Sequence, residues 1–226
     1  MQVEITKRPA AAIAKVRLSL GETLTAEVGS MVAMSTGLQV ETSSLKRGGG
    51  SLLKLRRIFA GESFFLNHFT AQTEGQEIFV GPKNIGDVIH HRLESASMIV
   101  QGSSWLASTH GIDIDATWQG ITAGLFGGEG LFWVKCSGSG DLLLNSFGAI
   151  YEIDVKDNYV VDTGHIVAFE DTLRFSVGKA TGSWIGSFLG GEGLVCKFSG
   201  QGKLYCQTHN PPSFGKLLGP KLKPRN

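Results

Sequence analysis

The sequence predicts an all-β fold: a single domain of three pseudo-repeats packed as a β-sandwich or barrel with pseudo-threefold symmetry. Three observations carry that prediction. A nine-residue window recurs as VAMSTGLQV at 32–40, LASTHGIDI at 106–114 and VAFEDTLRF at 167–175, and each copy ends in the apolar-polar-apolar alternation of a half-buried strand. Glycine is abundant, 31 residues against 6 prolines with no Gly-X-Y period, which suits short strands joined by tight corners. The chain of 226 residues is 42% hydrophobic and 18% charged, so it can bury a large β core and lies far from the composition of disorder.

The repeats can be justified piece by piece. Each window opens on a branched apolar residue followed by alanine (Ala33, Ala107, Ala168) and passes through a polar or turn-like middle. It then closes on Leu38-Gln39-Val40, Ile112-Asp113-Ile114 or Leu173-Arg174-Phe175, so it reads as strand, turn, strand. Upstream stand LTAEVGS, SMIVQGS and NYVVDTG, whose Gly29, Gly102 and Gly164 sit where a hairpin corner needs positive φ. Downstream come FAGESFFLNHFTA at 59–71, FGGEGLFWVKCSG at 126–138 and LGGEGLVCKFSG at 189–200. The third of these is one residue shorter than the second, a slip that a bulge or a tighter turn absorbs.

The repeats therefore run over about 20–90, 95–150 and 155–208 within one domain at 1–210. A unit of this size with half-buried strands cannot cover its own apolar face, whereas three packed about a common axis can. The best helical pattern is SLLKLRRIF at 51–59, worth one turn or two. Residues 211–226 form a basic tail, and the prolines within its stretch GKLLGPKLKPRN at 215–226 predict no regular structure there.

Net charge is +1, so the whole molecule has no field that would draw it onto nucleic acid or an anionic membrane. Cys136, Cys196 and Cys206 are odd in number and lack C-x-x-C spacing, which predicts buried free thiols rather than a disulfide framework or a zinc site. Charges at Glu4, Lys7, Arg8, Lys15 and Arg17 interrupt the first apolar stretches, and no long uncharged apolar run follows. Neither a signal peptide nor a transmembrane segment is expected, and the cytoplasm is the expected compartment.

The spacings of known catalytic motifs are missing, including the phosphate-binding glycine loops, H-E-x-x-H and G-x-S-x-G. SLLK at 51–54 matches S-x-x-K without its companion motifs. His90 and His91 adjoin on a predicted strand and so point to opposite faces, and His68 and His165 lack partners at ligand spacing. Asp113 and Asp115 share one strand face, with Ile112 and Ile114 turned to the core.

An acidic turn recurs as Gly61-Glu62, Gly128-Glu129 and Gly191-Glu192, always before an apolar run. Catalytic carboxylates would gather different polar neighbours in one copy, so these six residues are read as structural turns. The alternative is that the three carboxylates converge on a cation near the pseudo-axis. Lys46, Arg47, Lys54, Arg56 and Arg57 surround a triple glycine, and Lys216, Lys221, Lys223 and Arg225 lie in the tail. Together they are candidates for binding an anion, whether nucleic acid or a lipid head group.

In order, AEVGSMVAMSTGLQV, FAGESFFLNHFTA, GGEGLFWVKCSGSGDLLLNSFGAIYEI, YVVDTGHIVAFEDTL and GGEGLVCKFSGQGKLYCQT resemble the altered-inheritance-of-mitochondria family, in its uncharacterised bacterial type, over about residues 3–210. That family is grouped with proteins like the tryptophan RNA-binding attenuation protein (TRAP-like). The resemblance implies an all-β, pseudo-threefold fold and, in mitochondrial members, a role in inner-membrane organisation; it brings no catalytic residue or cofactor.

The expected function is a non-enzymatic, oligomeric scaffold or interaction module that binds itself or another protein through edge strands and exposed aromatics, with Trp105, Trp118 and Trp184 as candidates. The alternative is an anion binder working through the basic loop and tail.

Overall fold

A computed structural model describes residues 1–44, 65–115, 133–179 and 194–222. Strands dominate. They are β1 (Gln2–Thr6), β2 (Ile13–Leu18), β3 (Thr23–Glu27), β4 (Met31–Met34), β5 (Gln39–Ser44), β6 (Phe65–Thr70), β7 (Gln76–Val80), β8 (Val88–Gln101) and β9 (Trp105–Thr109). There follow β10 (Ile112–Asp115), β11 (Trp133–Asn145), β12 (Ile150–Val155), β13 (Asn158–Asp162), β14 (Ile166–Glu170), β15 (Arg174–Lys179), β16 (Leu194–Ser199) and β17 (Gly202–Gln207), then the helix α1 (Pro211–Leu218).

The strands form three antiparallel sheets. One has the order β1-β2-β7-β4; the largest runs β12-β17-β14-β8-β11-β9-β3-β6-β5, with β10 also on β11; the third is β13-β16-β15. No sheet among the described residues closes on itself, so the barrel form of the prediction gives way to open, stacked sheets. β2 shows how the pattern works: Ala14, Val16 and Leu18 are buried, while Lys15 and Arg17 on the other face both reach Glu77 of β7.

All three predicted windows are strand-turn-strand, and their pairing explains why they look alike. β3 and β5 flank β6, β8 and β10 flank the first half of β11, and β13 and β15 flank β16. The middle strands β4, β9 and β14 pair instead with β7, the second half of β11, and β17. In each of those three pairings the register slips at the same point. Met31 faces Val80 and Ala33 faces Phe79; Trp105 faces Leu144 and Ala107 faces Leu143; Ile166 faces Cys206 and Ala168 faces Tyr205. Val32, Leu106 and Val167, which open the windows, are therefore the extra residues of three bulges.

The corners differ from the prediction. Gly29 has φ +87°, as a hairpin corner requires, but Gly102 and Gly164 lie in 3-10 turns at Gly102–Ser104 and Thr163–His165 and are not in the positive-φ region. Glycine at 164 answers a different need, since a Cβ there would overlap the Asn210 side chain. The tail also departs from expectation. Asn210 caps α1 by accepting the Ser213 N–H at 3.2 Å, and the prolines stand in the first turn, where a missing N–H costs no helical bond. The predicted helical stretch at 51–59 lies outside the described residues.

Burial divides into three apolar clusters. The first gathers Val16, Leu24, Phe69 and Ile78 between the four-stranded and the large sheet; the second centres on Trp105, Val134 and Leu142; the third gathers Phe169, Phe198 and Leu204 against the three-stranded sheet. Two linkers meet beside them: Gly86, before β8, bridges Gly148, before β12, in parallel. Beside that bridge the fully buried Asp87 carboxylate accepts both Nε and Nη2 of Arg8, at 2.8 and 2.9 Å.

Candidate functional site

β9 and β14 each acquire a second neighbour: β9 also pairs with β3, placing Ala107 opposite Ala26, and β14 also pairs with β8, placing Ala168 opposite Val100. As a result the bulged residues Leu106 and Val167 are 0% exposed. Among the described residues β4 has β7 alone beside it, and its bulged residue Val32 is 62% exposed, together with Met31 and Met34. A second bare edge matches it. β3 and the end of β8 are covered by β9 and β14, but among the described residues β13 has β16 alone, and Tyr159 is 44% and Val160 57% exposed.

Neither edge carries a proline or a lysine, two of the groups that discourage strand addition. β4 reads MVAM with no charge, and β13 reads NYVVD, where the single carboxylate, Asp162, accepts the Gly164 N–H at 2.8 Å. A bulge can turn an edge away from partners, yet β9 and β14 carry the same bulge and are paired on both sides. Chemically, these edges offer backbone donors and acceptors flanked by apolar side chains, which is what an incoming strand requires.

Other clusters are structural. The His68 ring joins Thr25 (3.0 Å) to Ser43 (2.7 Å) across β3, β6 and β5. His90 and His91 do face opposite ways. His90 Nε2 meets Asp141 at 2.8 Å, while His91 packs edge-on against Tyr205. Burial works against ionisation of Asp141, but bonds from His90 and Arg92 outweigh it and hold the carboxyl below its usual range. Burial lowers the His91 imidazole, with Glu170 opposing, and raises the Tyr205 phenol, with Glu152 adding to the effect.

The three cysteines are free and buried, and burial pushes each thiol up to about 12. Asp113 is exposed while Ile112 is buried, as the alternation predicts. Among the described residues no group of three or more His, Cys, Asp and Glu side chains could hold a metal ion.

Trp105, expected as an exposed contact residue, is instead 0% exposed, because β9 is covered on both edges. Trp118 and Trp184 lie outside the described residues, as do Lys46, Arg47, Lys54, Arg56 and Arg57 and the turn residues Gly61, Glu62, Gly128, Glu129, Gly191 and Glu192. Reading the sequence missed Met31, Val32, Met34, Tyr159 and Val160 as surface residues. No local signal marks them, since Val32 occupies the same column as the buried Leu106 and Val167.

The family described as Mitochondrial biogenesis AIM24 matches residues 3–209, nearly the whole chain. The chain belongs to the AIM24 family. An uncharacterised protein of Streptococcus pyogenes serotype M6 is 28% identical to it over 213 residues, covering 91% of this chain and 85% of that protein. The X-ray structure of a Streptococcus pyogenes protein aligns with this AIM24-family chain at a TM-score of 0.78 and 25% identity, covering 98% of this chain and 99% of the other. No helix of the described residues is long and apolar enough to cross a membrane.

Proposed function

We propose that this AIM24-family chain is a non-enzymatic, oligomeric scaffold or interaction module built as one domain of three pseudo-threefold units at 1–210. One observation carries the reading: among the described residues two apolar strand edges, β4 and β13, are bare where their counterparts β9, β14, β3 and β8 are covered. The pseudo-threefold plan draws support from the recurring pairing and from the bulge shared by Val32, Leu106 and Val167, and it stays open in one chain: of its three unit-to-unit junctions β3 to β9 and β8 to β14 are formed, whereas β4 and β13 leave Val32, Met34, Tyr159 and Val160 exposed. The TRAP-like kinship enters this reading as a relation of fold and brings no RNA or tryptophan site with it. Three buried free thiols suit a reducing compartment such as the cytoplasm. Light scattering over a range of concentrations tests the reading. The expected result is a particle heavier than the 24.2 kDa chain, and a monomer at every concentration refutes it.

The tail favours a second reading, attachment to anionic lipid. α1 and the turn after it expose Phe214, Leu217 and Leu222 beside Lys216 and Lys221, the mixture of apolar and cationic groups that settles at a membrane surface. Sedimentation with anionic vesicles at low salt, lost on deleting residues 211–226, is the expected outcome. No sedimentation at low salt rejects this reading.

A further inference from the structure

We infer that β4 of one chain pairs antiparallel with β13 of a second copy, Ala33 opposite Val161 and Met34 opposite Val160. This deepens the scaffold reading and rests on it.

The register follows from the two junctions already present inside the chain. Across the first, Ala107 faces Ala26 and Ser108 faces Thr25; across the second, Ala168 faces Val100 and Phe169 faces Ile99. In both, the alanine after the bulge meets one position of the neighbouring unit's opening strand. On β8 that residue is Val100, which pairs with Val134 and stands one residue before Gln101 and the 3-10 turn at 102–104. The counterpart on β13 is Val161, which pairs with Cys196 and stands one residue before Asp162 and the 3-10 turn at 163–165. The alanine that follows the bulge in β4 is Ala33. Applying the same rule puts Ala33 on Val161 and Met34 on Val160.

The occupant is a second copy because every chain carries both halves of this junction, and because the complementary surface is one the chain already recognises twice. Val32, Met34, Tyr159 and Val160 all stand exposed, so the single chain does not satisfy the two edges with each other. The contact joins unlike surfaces, head to tail, so it propagates into a ring or an open row rather than stopping at a two-fold dimer. Strand addition would cover Met34 and Val160 as β3 and β14 cover their own counterparts, and would remove both of these bare edges.

Cysteine cross-linking of the full chain tests the register. Directly paired positions in a sheet bring Cα atoms within disulfide reach, and native Cys136, Cys196 and Cys206 are buried. M34C and V160C, prepared separately, mixed and mildly oxidised, are expected to shift to twice the chain mass on a non-reducing gel, beyond either variant alone. The double variant M34C/V160C is expected to give a ladder of multimers.

Two results overturn the pairing: no such band in the mixture, or a double variant that cross-links only within one chain, which would show the two edges closing on each other. Light scattering of the wild-type chain separates the two levels. An assembly that does not cross-link leaves the scaffold reading standing and removes this junction, whereas a monomer at every concentration removes both.

Discussion

Gly86→Ala tests how much stability the parallel bridge between the two linkers carries. A Cβ at position 86 would overlap the carbonyl oxygen of Ser146 and crowd its carbon and the Gly148 nitrogen, all of them backbone atoms that no rotamer change can move. The linkers would have to separate. Three backbone bonds span the gap there: Asp87 N–H to Gly148 O at 2.9 Å, Gly148 N–H to Ile85 O at 3.0 Å and Ser146 N–H to Asp87 O at 3.1 Å. At about 1 kcal/mol net for each, losing them costs about 3 kcal/mol. Replacing glycine returns about 0.5–1 kcal/mol by restricting the unfolded chain. The net loss of about 2 kcal/mol corresponds to a Tm lower by about 4–8 °C in a chain of this size.

Thermal unfolding followed by circular dichroism measures the shift, with Gly81→Ala as control. A Cβ at Gly81 meets only the Val32 Cγ2 at 3.5 Å and the Ala12 carbonyl oxygen at 4.0 Å, both ordinary contacts. If Gly86→Ala melts together with Gly81→Ala, the bridge carries no stability and the reckoning from its three backbone bonds is wrong.

Three further outcomes follow from the same structure. Leu106→Ala, at a fully buried bulge, costs about 2–5 kcal/mol in urea unfolding, whereas Val32→Ala stays within about 0.5 kcal/mol at protein concentrations too low for copies to associate. The Asp141 carboxyl is held below its unfolded value, so its contribution to stability is present above about pH 4 and is lost as pH falls through the lower, folded value. Asp141→Asn should therefore flatten the dependence of stability on pH below about pH 4 in chemical denaturation, and an unchanged slope counts against the His90 and Arg92 bonds. With all three thiols buried and pushed up to about 12, a thiol reagent at neutral pH labels none in the folded chain and three after denaturation.

The strand-turn-strand windows, the buried cysteines, the opposed faces of His90 and His91 and the outward Asp113 were all legible in the chain. Each depends on side-chain alternation or on burial of a small apolar group, and both are properties of a few neighbouring residues. The corners at Gly102 and Gly164 were misread because glycine serves positive φ and close approach equally well, and at position 164 the approaching group, Asn210, lies far along the chain. The tail was misread because its helix begins upstream of the stretch at 215–226: Pro211 and Pro212 fall in the first turn, where proline is tolerated, and Pro220 comes only after the helix has ended.

By itself the sequence determined a β-rich chain, the three repeated windows and the strand faces within them, because local chemistry sets the alternation and spacing of apolar residues. Only the tertiary structure decided which of those strands are covered. Val32, Leu106 and Val167 hold equivalent places in near-identical segments, yet two are buried and one is bare. Exposure belongs to the strand that arrives alongside rather than to the residue, and for β4 and β13 no such strand stands beside the outer edge among the described residues.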